Sequence, residues 1–312
     1  MSSPVRTTEW QDRYGLQQLL ASGHYTLRCL DTGELLPDTL EGDSPNYPLN
    51  NRRATQAAFL RSEYPRGALR LFQEDLGIYR YAQWLPIRRI LPGSSEPVTY
   101  RSSGLAEAIG LDELYITFSG YWPERGATMV SGSFKECEAY AVAGRMGPEF
   151  TSTLVIASAG NTARAFYRVF SEHNIPLLIV VPEENLDKLW ATTPNSDAVT
   201  VVAAGDGADY SDAIALADEV CKLPGYVPEG GAKNVARRDG MATTMLSAAT
   251  TIGRIPDHYF QAVGSGTGAI AAWEANLRLR EEGGYGDHLA KLHLSQNAPF
   301  TLLCDSWNRR SR

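Results

Sequence analysis

The sequence is poor in most of the features that mark a specialised class. Cysteine occurs four times, as Cys29, Cys137, Cys221 and Cys304. No two form a Cys-x-x-Cys pair, which excludes a disulfide framework and fits a reducing compartment. Histidine occurs five times. The nearest pair, His288 and His293, has poor spacing for one helical face and no cysteine beside it, so no metal site is expected. No apolar run approaches the ~18 residues of a membrane-spanning helix. The N-terminal stretch MSSPVRTTEWQDRYG lacks the apolar centre of a signal peptide. Basic charge is also in deficit: 29 Lys+Arg against 36 Asp+Glu leave −7. That balance disfavours binding to a nucleic-acid backbone, though local basic groups can still hold a small anion. A cytoplasmic protein with neither nucleic-acid nor membrane partner is expected.

What is present is ordinary globular composition, 43% hydrophobic and 21% charged over 312 residues. At ~100–200 residues per domain, the length allows roughly two domains. Residues 1–75 read as an appendage. HYTLRCLDTGELL suggests a hairpin turning at Asp31-Thr32-Gly33, and residues 37–53, rich in Pro, Asn and Asp, read as a long loop or linker. From about residue 110 strands and helices alternate. LYITFSG, TSTLVIASAG, IPLLIVVPEE, AVTVVAAG, HYFQAVG and KLHLSQ are strand patterns, the third and fourth buried by their unbroken apolar runs. NTARAFYRVFSEHN, YSDAIALADEVCKL, NVARRDGMATTMLSAATTIG and TGAIAAWEANLRLREEG have helical spacing, and Asn234 is a plausible N-cap. The alternation predicts an α/β fold with mainly parallel sheets.

Three segments can carry chemistry. In SGSFKECEAY, Lys135 opens a helix. The positive end of a helix disfavours an ammonium, and a neutral primary amine can condense with an aldehyde. Taken singly, an ordinary surface lysine is the plainer reading. In ASAGNTARAF, a strand runs into a loop and then a helix, the ligand side of an α/β sheet. Its amides and the side chains of Ser158, Asn161 and Thr162 can hold a carboxylate or a phenolic oxygen, or Asn161 or Thr162 can simply cap the helix. In AVGSGTGAIAAW, Gly264, Gly266 and Gly268 lie between a strand and a helix and form an anion cradle. The same run matches G-x-G-x-x-A, but the next strand ends at Ser295-Gln296-Asn297, with no acid for a dinucleotide ribose. A phosphate monoester is the better guest.

Together, and in this chain order, the three segments resemble the fold-type II family of pyridoxal-phosphate enzymes. SFK and the N-x-x-R-x-x-G-x-x-T segment (Asn234, Arg237, Gly240, Thr243) are similar to the threonine-synthase branch. YITFSGYWPERGATMVSGSFKECEAY, VPEGGAKNVARRDGM, PDHYFQAVGSGTGAIAAWEANLRLRE, YAQWLP and VTYRSSGLAEAIGLDELY resemble the archaeal cysteate synthase family, from about residue 78 to the C-terminus. That resemblance implies pyridoxal 5'-phosphate as cofactor. It also implies β-replacement on O-phospho-L-serine with sulfite, yielding L-cysteate and phosphate on a route to coenzyme M. The alternatives are a threonine synthase acting on O-phosphohomoserine, or a catalytically inert chain that binds the cofactor or a small phosphate. A homo-oligomer acting on small molecules is expected.

Carried over by residue, the resemblance makes Lys135 the cofactor-bearing catalytic lysine and Asn161 the partner of the cofactor's ring oxygen. Gly264, Ser265, Gly266, Thr267 and Gly268 become the phosphate cup. Ser158, Ala159, Gly160 and Thr162 become the loop for the substrate carboxylate. Arg101, Lys233, Arg237 and Arg238 are candidates for attracting anionic reactants, each more often a solvated surface charge. The family's N-terminal Cys-x-x-Cys is replaced by Cys29-Leu30-Asp31-Thr32, and Ala163 and Ala269 stand where glycine is usual. Family members are expected to continue roughly a hundred residues past the point matching Arg312, the scale of a small domain. The expected organisation is an N-terminal appendage and linker over 1–75, an incomplete large cofactor-binding lobe over 76–149 plus 229–312, and a small lobe over 150–228. Activity of the chain as it stands is expected to be low.

Overall fold

The computed structural model describes residues 16–38, 59–72, 74–158, 160–190, 196–205, 207–282, 284–299 and 301–310. The expected linker over 37–53 thus lies mostly outside the described residues. The N-terminal part contains helix α1 (Leu16–Ala21) and an antiparallel sheet in the order β2-β1-β3, with β1 at Thr26–Cys29, β2 at Leu35–Leu36 and β3 at Leu60–Glu63. The hairpin turn falls where Asp31-Thr32-Gly33 predicts it, and Gly33 takes a φ of 75° that suits glycine.

Two short antiparallel pairs follow. β4 (Val98–Arg101) pairs with β5 (Tyr115–Phe118) around helix α2 (Ser103–Ile109), and β6 (Tyr121–Trp122) pairs with β7 (Ala127–Thr128). Helix α3 (Lys135–Arg145) then enters the core, followed by the largest sheet. It is wholly parallel, in the order β10-β9-β8-β11, with β8 at Thr153–Ala157, β9 at Leu177–Pro182, β10 at Val199–Ala204 and β11 at Tyr226–Pro228. Helix α4 (Asn161–Glu172) connects β8 to β9, and α5 (Tyr210–Val220) connects β10 to β11. The central strand β9 is buried at every position, as its unbroken apolar run LLIVVP predicts. β10 is only partly buried, contrary to the sequence expectation. It is one of the two edge strands, so its apolar run has a neighbour on one side only.

Helix α6 (Val235–Ile252) is the central helix of the remainder. Asn234 caps it, its side chain accepting from the Ala236 amide, and Gly253 ends it in the left-handed region. Small residues along α6 allow close approach on several sides, to α3 and to α7 (Thr267–Glu282). β12 (His258–Ala262) and β13 (Lys291–Ser295) form a parallel pair flanking α7, and α8 (Leu302–Arg310) follows. Among the described residues no helix is long and apolar enough to cross a membrane.

The N-terminal strands are tied to this body by buried polar contacts. Arg145 at the end of α3 holds the Asp38 carboxylate through two hydrogen bonds, at 2.7 and 2.8 Å. Tyr64 donates to Asp239 of α6 at 2.8 Å. Burial pushes the Asp38 carboxyl up, but Arg145, helped by the Tyr25 hydroxyl and Arg88, more than offsets this and holds it below the usual carboxylate range.

Candidate active site

Lys135 begins α3 immediately after the turn Ser131-Gly132-Ser133-Phe134, where Gly132 takes a φ of 74°. Its amine lies 3.2 Å from Glu138 Oε2, one turn along the same helix, and 3.4 Å from Met241 Sδ on α6. The carboxylate offsets the electrostatic cost of an ammonium at the positive end of a helix. Glu138 is wholly buried, so its charge needs partners of its own. Arg237 of α6 supplies one: its Nε lies 3.2 Å from the same Oε2. Arg237 also donates to Glu229 Oε2 at 2.6 Å and to Thr162 Oγ1 at 3.3 Å.

A continuous polar chain therefore runs from Lys135 through Glu138 and Arg237 to Thr162 in the first turn of α4. In this cluster two basic side chains, Lys135 and Arg237, face two carboxyl groups, Glu138 and Glu229. Burial opposes the charge of Arg237, but the two carboxylates more than compensate and hold the guanidinium above its ordinary range. Burial dominates at Glu229 and keeps its carboxyl above the usual value even with Arg237 beside it.

The loop after β8 departs from the capping alternative of the sequence reading. The Ser158 amide is already engaged, donating to the Val180 carbonyl at 3.1 Å. Gly160 is the cap residue of α4, and no side chain caps the helix. Neither Asn161 nor Thr162 serves as the cap, because both already lie inside the first turn. Thr162 turns to Arg237, and Asn161 accepts a hydrogen bond from Arg164. Ala159 lies outside the described residues.

The glycine run sits between β12 and α7, as the sequence predicts. Gly266 takes a φ of 87°, and a Cβ there would meet Leu303 of α8 at 3.1 Å. A Cβ on Gly268 would sit 2.8 Å from Gln261 Nε2. Ser265 and Thr267 share a hydrogen bond of 2.9 Å across the turn. Gln296 braces the run from β13's end, donating to the Gly264 carbonyl at 2.9 Å and accepting from the Leu303 amide at 2.9 Å. The cradle connects to Lys135 through α6: Met241, beside the lysine amine, shares an apolar cluster with Ala271 and Ala272 of α7.

The candidate anion-attracting cations divide sharply. Arg238 is buried and Arg237 partly buried, and both are paired with carboxylates, contrary to the expectation of solvated surface charges. Arg238 is 1% exposed and lies 2.9 Å from Glu274 Oε2, and it also donates to the Ala232 and Leu60 carbonyls. It is committed to holding α6, α7 and β3 together and has nothing left for a ligand. Arg101 is exposed and donates to the Asp112 carbonyl. Sequence reasoning missed Glu138, Glu229 and Met241. The only signal was a second acid one turn after the lysine, which by spacing alone is an ordinary helical ion pair.

Comparison with known proteins decides the family. The family model described as "Pyridoxal-phosphate dependent enzyme" matches residues 103–312. The chain belongs to the pyridoxal-phosphate dependent enzyme family. Cysteate synthase of Methanoregula boonei is 49% identical over 288 residues, which is 92% of this chain and 65% of that protein. Cysteate synthase of Methanoculleus marisnigri is 50% identical over 289 residues, 92% of this chain and 64% of that protein. The chain thus spans about two thirds of the length of these curated relatives. A pyridoxal 5'-phosphate-dependent aspartate racemase of known crystal structure shares the fold, with a TM-score of 0.51 and 15% identity over 69% of this chain and 61% of that chain. The architecture is the fold-type II one expected of this family.

The residues present fit the family's cofactor. In the glycine run a Cβ on Gly266 or Gly268 would press on Leu303 or Gln261, while the space beside Gly264 is open, which leaves room for a group to approach the backbone there. Near the lysine amine, Ser133 Oγ and Glu138 Oε1 are buried without a hydrogen-bond partner among the described residues, polar atoms that a bound polar group would satisfy.

Proposed function

We propose that this protein acts as a cysteate synthase, replacing the phosphate of O-phospho-L-serine with sulfite and using pyridoxal phosphate. The observation that carries the reading is the Lys135–Glu138–Arg237–Thr162 chain, which joins the lysine to the Ser158–Thr162 loop. Relatives that carry the name cysteate synthase at 49% and 50% identity support the choice of substrates.

In this reading residues 76–149 and 229–312 form the large lobe and residues 150–228 the small one, with the cofactor between them. Lys135 holds the cofactor's aldehyde carbon. The amides of Gly264 to Gly268, with Ser265 and Thr267, hold its phosphate at the positive end of α7. Asn161 faces its ring oxygen, and Ser158, Ala159, Gly160 and Thr162 receive the substrate carboxylate. When bound, the cofactor supplies an electron sink that makes the Cα proton of an amino acid removable. Lys135 takes that proton as general base and later returns it. Between those steps the Cβ–O bond to phosphate breaks and a Cβ–S bond to sulfite forms. Arg237 orients Thr162, while Glu138 holds the lysine amine in place when it is free.

The test is chromatographic. Protein loaded with pyridoxal phosphate and given O-phosphoserine and sulfite should release phosphate and cysteate in equal amounts, with no cysteate when sulfite is omitted. Threonine formed from O-phosphohomoserine, with no product from O-phosphoserine, would overturn the reading in favour of threonine synthase.

A further inference from the structure

Two buried charged residues beside the lysine take no part in the chemistry described above. Glu136 follows Lys135 directly in α3 and is wholly buried. Both of its carboxylate oxygens are occupied. Oε2 accepts from the Ser131 amide at 2.9 Å, and Oε1 accepts from the guanidinium of Arg168, which is buried too. Arg168 lies on α4, about two turns beyond Asn161 and Thr162. Glu172, further along α4, adds to the same junction: it lies 3.2 Å from Arg168 Nε and accepts from the Tyr140 hydroxyl of α3 at 3.4 Å.

A buried ion pair is a weak source of stability, because desolvation offsets much of the attraction and apolar residues of similar volume often serve as well. What this pair supplies is direction. A carboxylate whose two oxygens are held by donors on two different segments sets where those segments sit. One segment is the turn Ser131-Gly132-Ser133-Phe134, which delivers the chain into α3 at Lys135. The other is the helix that begins with Asn161 and Thr162. In the proposed division α3 belongs to the large lobe and α4 to the small one, so the pair spans the two.

We propose that Glu136 and Arg168 are positioning residues for the reaction. Glu136 fixes the turn that aims Lys135, and its pairing with Arg168 sets the distance from that lysine to the substrate loop at the start of α4. Neither residue touches substrate or cofactor; each acts through the backbone it holds. This rests on the β-replacement reading and deepens it, since a lysine and a substrate carboxylate held on separate helices react well only at a fixed separation.

The test uses two double variants, each removing both charges so that no lone charge stays buried. In Glu136→Gln with Arg168→Met, the new amide oxygen still accepts from Ser131 while the tie to α4 is lost. In Glu136→Met with Arg168→Met, both ties are lost. Three quantities are read: hydrogen exchange of the Ser131 amide in cofactor-free protein, the rate at which a borohydride-trapped pyridoxal-phosphate adduct accumulates on Lys135, and KM and kcat for O-phosphoserine from phosphate release with sulfite. The first variant should keep Ser131 exchange and adduct rate near those of natural protein, with KM raised several-fold and kcat changed less. The second should also exchange the Ser131 amide faster by about tenfold or more, the scale of a hydrogen bond to a carboxylate, and form the adduct more slowly. An unchanged KM in the first variant, or unchanged exchange or adduct rate in the second, overturns the proposal. Equal loss of all three in both variants, or failure of both to fold, assigns the pair to the fold alone and overturns it as well. No adduct in natural protein would instead defeat the functional reading, while the exchange measurement, which needs no cofactor, still decides whether Glu136 holds the turn.

Discussion

Gly240 of α6 sits against Cys137 of α3 so closely that a Cβ on it would lie 2.5 Å from the Cys137 carbonyl oxygen and 2.7 Å from Ala141 Cβ. Cys137 is two residues beyond Lys135, so this contact sets how near α6 brings Arg237 and Met241 to the lysine. The backbone oxygen cannot swing aside as a side chain would. Gly240→Ala should therefore destabilise the protein by about 1–3 kcal/mol through overpacking, even though alanine is the better helix former by ~1 kcal/mol. Urea unfolding measures this; equal or higher stability would show that the helices have room to part.

The lysine itself is open to a chemical test. Incubation with pyridoxal phosphate followed by borohydride should leave a reduced cofactor adduct on one peptide, the one containing Lys135. Lys135→Ala should abolish the adduct, since no other side chain at that position offers a primary amine. Peptide mapping that finds the label on a different lysine would falsify the assignment.

Gly266→Asp should weaken pyridoxal-phosphate binding strongly. A φ of 87° strains any side-chain-bearing residue, the new Cβ meets Leu303 at 3.1 Å, and the carboxylate repels a phosphate. Equilibrium titration with the cofactor is the measurement, and unchanged affinity would reduce the glycine run to a turn.

His173, just after α4, packs edge-on against Tyr140 at 5.9 Å between ring centroids. Burial, aided by the nearby Arg89 charge, lowers its pKa from 6.5 to about 4. The folded state thus resists protonation that the unfolded chain accepts. The stability tied to the neutral ring is complete above pH 6.5 and is lost as pH falls towards 4, a total of order 2 kcal/mol after discounting partial exposure. His173→Gln should flatten the stability profile in that window; an unchanged slope would assign the acid sensitivity to other groups.

Much of the architecture was legible before any coordinates. LLIVVP is too apolar and too short to be anything but an interior strand. Asn234 and Gly253 bracket a helix by their capping chemistry. Lys135 at a helix start and Gly266 in a strand-to-helix turn are decided by local backbone geometry, and local geometry is written in adjacent residues. Tertiary structure alone decided the pairings. Glu138 and Arg237 are far apart in the chain and meet only because Gly240 lets α6 close on α3. Arg237 and Arg238 look alike as neighbouring surface charges, but successive helix positions point about 100° apart, so one faces Thr162 and the other is sealed against Glu274. Which charges cancel and which are left over depends on distances between elements, and no pattern along the chain carries those distances.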